Sequence, residues 1–139
     1  MKILVDVNVL VDAIEDRSPF NIAAQQIVLY VEQHLSESFI TADSLTNLYY
    51  VIHHLSKSKI KTRQIIGTTI ELFHILDVNE TDCQLALTSN CPDFEDAVLV
   101  ETARRHRIDY IITRNTQDFA HSPVPALTPA EFLAKVQNT

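Results

Sequence analysis

Apolar positions along this chain follow two rhythms. Short runs rich in β-branched residues alternate with longer stretches in which apolar residues recur every three or four positions. The first run, Ile3-Leu4-Val5, predicts a strand over residues 2–6, buried on both faces as in a parallel sheet covered by helices. Further strands are predicted at 38–42 (SFITA), 75–78 and 110–113 (YIIT). Helical spacing predicts a helix over 8–16 with Asn8 as its cap, closed off by Ser18-Pro19. A second over 20–34 carries Ile22, Ala23, Ile27, Tyr30 and Val31 on one face. The next, 45–55, follows Ser44 as cap, and a basic connection at 57–61 leads to a helix over 62–74. Helices over 80–88 and 94–107 follow. Thr128 and Pro129 read as the cap and first residue of a last helix, after a loop bounded by Pro123 and Pro125.

Strands that alternate with helices argue a parallel sheet with right-handed crossovers. The predicted class is α/β: a three-layer α/β/α fold with a short parallel sheet of four or five strands, residues 1–139 forming one domain. At 139 residues the chain is long enough to bury a core. No apolar run reaches the about 20 residues a membrane span needs, and no signal-peptide pattern opens the chain, so a cytoplasmic location is expected. Cys83 and Cys91 read as free thiols in a reducing compartment. The single glycine, Gly67, excludes both glycine-rich nucleotide-binding loops.

A net charge of −7 rules out a generally basic nucleic-acid binder. Yet eight of the eleven cations fall in two stretches: Lys57, Lys59, Lys61 and Arg63, then Arg104, Arg105, Arg107 and Arg114. Each patch reads as a solvated helix end, or, beside an acidic centre, as a surface for a phosphate backbone.

The acids fall at matching points. Asp6 ends the first strand, where open α/β sheets bind their ligands, and Asn8 follows it. Asp on its own would serve there as a helix cap. Residues 92–97, PDFEDA, open a helix with Asp93 and Asp96 three apart, on one face. The helix dipole accounts for one or two acids in a first turn, not for three within four residues. Residues 113–119, TRNTQDF, offer Thr113, Asn115 and Asp118 after another strand. Carboxylates gathered at one sheet edge repel one another unless a cation intervenes, and Mg²⁺ or Mn²⁺, hard ions that take oxygen ligands, answer that repulsion. The chemistry these residues permit is metal-dependent phosphodiester hydrolysis.

LVDVNVLVD, DFEDAVLVETA and YIITRNTQDF, in this order and spacing, resemble the signatures of PIN domains, the nuclease fold of VapC-type toxins. The resemblance runs from the first strand to LTPAEFL. It implies a Mg²⁺- or Mn²⁺-dependent endoribonuclease that hydrolyses RNA, the toxin of a toxin–antitoxin pair, held by a small antitoxin protein and forming a homodimer. It implies that Asp6 and Asp96 hold the metal, with Asp93, Glu95 or Asp118 completing the shell. Asn115 matches a position where members carry a further Asp or Asn, while Thr113 and Asn8 match the polar residues that orient the acids. Many members carry a Glu in the helix after the second strand, where Thr46 or Asn47 stands here. TNLYYVI resembles a sub-branch in which Asp93 or Glu95 takes over that charge.

Other residues weigh less. His53 and His54 are adjacent and point to different helix faces. Of Tyr49 and Tyr50, one is expected in the core and the other on a base or a dimer partner. Arg114 is the cation expected nearest a scissile phosphate. The competing reading is a PIN-fold module that binds RNA or a protein without cutting. A phosphotransfer enzyme with an Asp nucleophile fits worse: the strand ends in D-x-N where D-x-D is needed, and no lysine lies between Lys61 and Lys135.

Overall fold

A computed structural model describes residues 1–138. The strands are β1 (Lys2–Val5), β2 (Glu37–Thr41), β3 (His74–Leu76), β4 (Tyr110–Ile112) and β5 (Ala126–Leu127). The helices are α1 (Val7–Ile14), α2 (Asn21–Glu32), α3 (Ala42–Ser56), α4 (Lys59–Leu72), α5 (Glu80–Leu87), α6 (Phe94–Arg105) and α7 (Pro129–Gln137). A 3₁₀ turn at Thr116–Phe119 lies between β4 and β5. All strand pairs are parallel, in the order β3-β2-β1-β4-β5.

Alternation along β1 and β4 divides the core in two. Ile3 and Val5 point with Ile112 into one cluster, where Val9, Ala24, Ile27, Leu48, Ile52 and Phe132 from α1, α2, α3 and α7 cover the sheet. Leu4 and Ile111 point the other way, against Leu99, Val100 and Ala103 of α6. Each of Ile3, Leu4 and Val5 is fully buried, as a central strand covered on both faces requires. The layers are therefore α/β/α.

The chain builds outward from β1 through β2 to β3, then returns to place β4 on the other side of β1. The carboxyl ends of β1 and β4 thus flank the point where strand order reverses, the crevice where open α/β sheets place their sites.

Several local details differ from the sequence reading. On α2 the buried residues are Ala24, Ile27 and Val31, while Ile22 is 61% exposed. Asp6, not Asn8, caps α1: its Oδ1 accepts from the Val7 N–H at 2.7 Å. Thr41 rather than Ser44 caps α3, taking the Ser44 N–H at 3.0 Å, so the helix starts at Ala42. The basic connection is mostly the first turn of α4, capped by Ser58, while Lys57 closes α3 in a left-handed conformation (φ 54°). Ala126 and Leu127, too short a run to show a period, add an edge strand beside Ile111 and Ile112.

Candidate functional site

Asp6 leaves the end of β1 and is 8% exposed. Its Oδ2 accepts from the Thr113 hydroxyl at 2.9 Å, across to the end of β4. Thr113 is fully buried and serves as a hub. Its Oγ1 also accepts from the Asn115 N–H at 3.2 Å and, more loosely, from Asn8 Nδ2 at 3.4 Å. Asn8 Oδ1 in turn accepts from the Arg114 N–H at 3.3 Å. The first turn of α1 and the loop after β4 are so joined by polar side chains whose common focus is one carboxylate.

The second acid group comes from the start of α6. Asp93 caps that helix, its Oδ1 accepting from the Asp96 N–H at 3.0 Å. Capping fixes the turn that places Glu95 and Asp96 beside Asp6. Asp118, on the 3₁₀ turn, arrives from the third direction; its carbonyl accepts the Cys91 thiol at 3.6 Å, as does that of Asp93. A cleft of about 190 Å³ results, lined by Asp6, Asn8, Asp93, Glu95, Asp96, Asn115 and Asp118 together with Val7 and Phe119.

Electrostatics register the crowding. Burial raises the Asp96 carboxyl, and the charges of Asp6, Asp93, Asp118 and Glu95 add to this, pushing it up to about 7. Burial also raises Asp6, against the opposing bonds from Thr113 and the Val7 N–H. The Cys91 thiol at the rim is held up by burial and by the neighbouring acids, which makes it a poor thiolate ligand. What remains to bind is carboxylate and amide oxygen, the donor set of Mg²⁺ or Mn²⁺. Among the described residues, no three His, Cys, Asp or Glu side chains already form a cage able to hold an ion. The fit therefore rests on donor chemistry and on a repulsion that a cation relieves.

Asn47, on α3, stands beside this cleft rather than in its wall. Its Nδ2 donates to Glu95 Oε1 at 3.0 Å. Arg114 also takes part in a brace beside the cleft. Its Nη1 lies 3.1 Å from Asp12 Oδ1, and its guanidinium carbon sits 4.6 Å from the centre of the Phe20 ring. The Asp12 side chain is 2% exposed, and this pair braces the guanidinium while its charge still reaches Asp6 and opposes the rise of that carboxyl. Of the other cations in the second patch, Arg105 pairs with Asp82 and Asp77, and the half-exposed Arg104 lies 3.8 Å from Glu101. Neither tyrosine is core. Tyr50 is exposed, and Tyr49 is half-buried and stacks on His53, because Leu48 and Ile52 fill the apolar face of α3.

Sequence reasoning missed the Asp12–Arg114–Phe20 brace. Its only signal was Asp12 on an otherwise apolar helix face. A larger groove of about 380 Å³ between α1, α2 and α4, lined by residues such as Leu10, Ile14, Val28 and Ile65, holds no comparable cluster of acids.

Fold and cleft together define an α/β/α protein with an oxygen-lined acidic site at its strand-order reversal. A family model described as "PIN domain" matches residues 2–117, and the chain belongs to that family. It is 23% identical over 136 residues to Ribonuclease VapC1 of Aquifex aeolicus, covering 94% of this chain and 92% of that protein. Among solved structures it is similar to a toxin–antitoxin complex from Klebsiella pneumoniae, with 25% identity, a TM-score of 0.67, and coverage of 91% of this chain and 96% of that one. The fold is also shared with FitAB bound to a DNA fragment, at 20% identity and a TM-score of 0.70, over 91% and 94% of the two chains.

Proposed function

We propose that this protein is a Mg²⁺- or Mn²⁺-dependent endoribonuclease that hydrolyses RNA phosphodiester bonds, acting as the toxin of a toxin–antitoxin pair. The observation that carries the reading is the cleft in which Asp6 and Asp96 meet at the reversal point, with Asp96 pushed up to about 7. The relative named as a ribonuclease and the similar toxin–antitoxin complex support it.

Asp6 and Asp96 are the residues that would hold the metal, with Asp93 and Asp118 at the sides of the cleft and Asn115 as a neutral oxygen donor. When bound, a divalent ion supplies positive charge at a scissile phosphate and makes water a stronger nucleophile at neutral pH. Thr113 and Asn8 keep the Asp6 carboxylate in place. Asp93 holds the first turn of α6, and so the position of Asp96. The family further suggests a small antitoxin protein as partner, a homodimer using the exposed face of α3 around Tyr50, and a cytoplasmic location. Among the described residues, no helix is long and apolar enough to cross a membrane.

The test is incubation of purified protein with single-stranded and loop-containing RNA, with Mn²⁺ or with EDTA. Cleavage that needs the metal and vanishes in Asp6→Asn is the expected result. RNA binding without cleavage by the wild type, unchanged in Asp6→Asn, would instead establish a non-catalytic binding module, a reading that the neutral Asn47 on α3 favours.

A further inference from the structure

Next to the acidic cleft lies a second cavity, more enclosed, of about 210 Å³. Asp118 and Phe119 line both, so the two share a wall. Its buried side comes from the middle of α6, at Val100 and Glu101, and its other sides from residues 89–92 and 117–123. Those loops are held from within. Ser89 Oγ donates to the Ala86 carbonyl at 3.0 Å, and Ser122 Oγ to the Val124 carbonyl at 2.7 Å. Both hydroxyls are thus committed to shaping the cavity.

Glu101 is the exception among the buried acids. Its side chain is 9% exposed, yet among the described residues no N–H or O–H donates to it. Arg104 Nε stands 3.8 Å away, outside hydrogen-bond reach, on a side chain that is itself 56% exposed. Asp6, Asp12 and Asp82 are buried too, and each accepts a hydrogen bond. Burying a carboxylate without a donor is costly, and such a departure from the ordinary rule is expected where a ligand supplies what the fold omits. The carboxylate repels an anion. Alone among apolar walls it makes a poor cage for Mg²⁺ or Ca²⁺, which ask for several oxygens. Val100, Phe119, Pro92 and Pro123 instead offer apolar surface to the faces of a flat ring. The volume falls below the about 300–1,000 Å³ of sites for drug-sized ligands, and suits a single base. Asn90 and Gln117 stand exposed at the rim, with amides free to meet the polar edge of such a ring.

Resting on the ribonuclease reading above, we infer that this cavity is a base pocket that takes a guanine of the RNA strand beside the scissile bond, and that Glu101 is the residue that reads it. Guanine alone among the four bases presents two adjacent N–H donors, N1–H and the 2-amino group, on its Watson–Crick edge. They match the two acceptor oxygens of a carboxylate. Adenine and cytosine set an acceptor nitrogen beside their amino group, and uracil sets carbonyls on both sides of its one N–H. Each of these turns a lone pair toward Glu101. A single strand can splay one base into the pocket while its phosphate lies in the acidic cleft across the Asp118–Phe119 wall.

Two measurements keep this inference separate from the cleavage reading. In the first, guanosine, inosine, adenosine and cytidine are titrated into metal-free protein and followed by ¹H–¹⁵N amide shifts. Guanosine is expected to bind about tenfold or more tightly than inosine, which lacks only the 2-amino group, on the scale of one bidentate base contact. The shifts should centre on residues 100–101 and 117–123. Glu101→Gln, checked for folding by circular dichroism, should lose the preference; the wild-type comparison of guanosine with inosine decides the matter even if that variant fails to fold. In the second, Mn²⁺-dependent cleavage is compared on oligouridine carrying one guanosine and on the same strand with inosine in its place. Cutting beside the guanosine is expected, with kcat/KM about tenfold lower for inosine. No guanosine binding, equal binding of guanosine and inosine, or shifts away from Glu101 would overturn the inference. RNA cut without regard to guanosine would overturn it too and leave the nuclease standing. Guanosine held at Glu101 by a protein that cuts no RNA would support the pocket and remove the nuclease.

Discussion

The Thr113 hydroxyl donates to Asp6 Oδ2 at 2.9 Å across 107 residues of sequence, joining the carboxyl ends of β4 and β1 inside the core. Both residues are buried, so water cannot replace the bond. Thr113→Val keeps the shape and removes the donor. It should cost about 2 kcal/mol of stability, the scale of a hydrogen bond to a charged group, and raise the Asp6 carboxyl further. Urea unfolding measures the first effect. Mn²⁺ titration should show weaker binding, because Asp6 then holds its proton more tightly.

Arg114 should behave as a brace. Arg114→Ala leaves the buried Asp12 carboxylate unpaired and should destabilise by about 3 kcal/mol. Adding Asp12→Asn should recover part of that loss. By contrast, Arg104 is itself 56% exposed and lies a longer 3.8 Å from Glu101, so Arg104→Ala should cost clearly less than Arg114→Ala. Equal losses in the two single variants would contradict the assignment.

Asp82 supplies a second buried carboxylate, far in role from the cleft. It completes a capping box with Asn79 and accepts from Arg105 Nε and Nη2 at 2.9 and 2.8 Å and from Thr102 at 3.2 Å. Burial pushes its carboxyl up, but the bonds from Arg105, the Asn79 N–H and Thr102 outweigh this and leave it lowered. A lowered carboxyl stabilises the fold above its unfolded value, near pH 4, and that stability is lost as pH falls through the folded value. Asp82→Asn should therefore destabilise at neutral pH and flatten the loss of stability below about pH 4. Mn²⁺ affinity should be unchanged.

Asp96 has the opposite sign. Its folded carboxyl lies at about 7, above the ordinary value of 3.8. Between those values the metal-free folded protein binds more protons than the unfolded chain. Stability should thus fall as pH rises through this window, with the full penalty above pH 7. Mn²⁺ needs the ionised form, so its apparent affinity should climb up to about pH 7 and then level off. Melting curves at pH 5, 6, 7 and 8 check both statements, and Asp96→Asn should flatten both.

Much of this was legible because buried strands and first-turn acids leave local marks. Ile3-Leu4-Val5 announces a doubly covered strand, Asp6 and TRNTQDF follow their strands, and the PDFEDA acids mark the first turn of a helix. What was not legible depends on partners distant in sequence. Nothing local tells that Arg114 will turn to Asp12 and Phe20, or that Asn47 will meet Glu95. Caps were misjudged by a few residues where two candidates stood close: Asp6 and Asn8, Thr41 and Ser44. There backbone geometry chooses, and both residue types cap well. The strand at Ala126–Leu127 escaped because two residues carry no period.

The most direct test of the central claim is thermal unfolding of metal-free protein with and without Mn²⁺, for wild type and for Asp96→Asn. Binding to the folded state alone should raise wild-type stability, by about 2.7 kcal/mol at a hundredfold excess over the dissociation constant. The account predicts a clear upward shift in wild type that Asp96→Asn loses. An equal shift in both proteins, or none in the wild type at millimolar Mn²⁺, would contradict it.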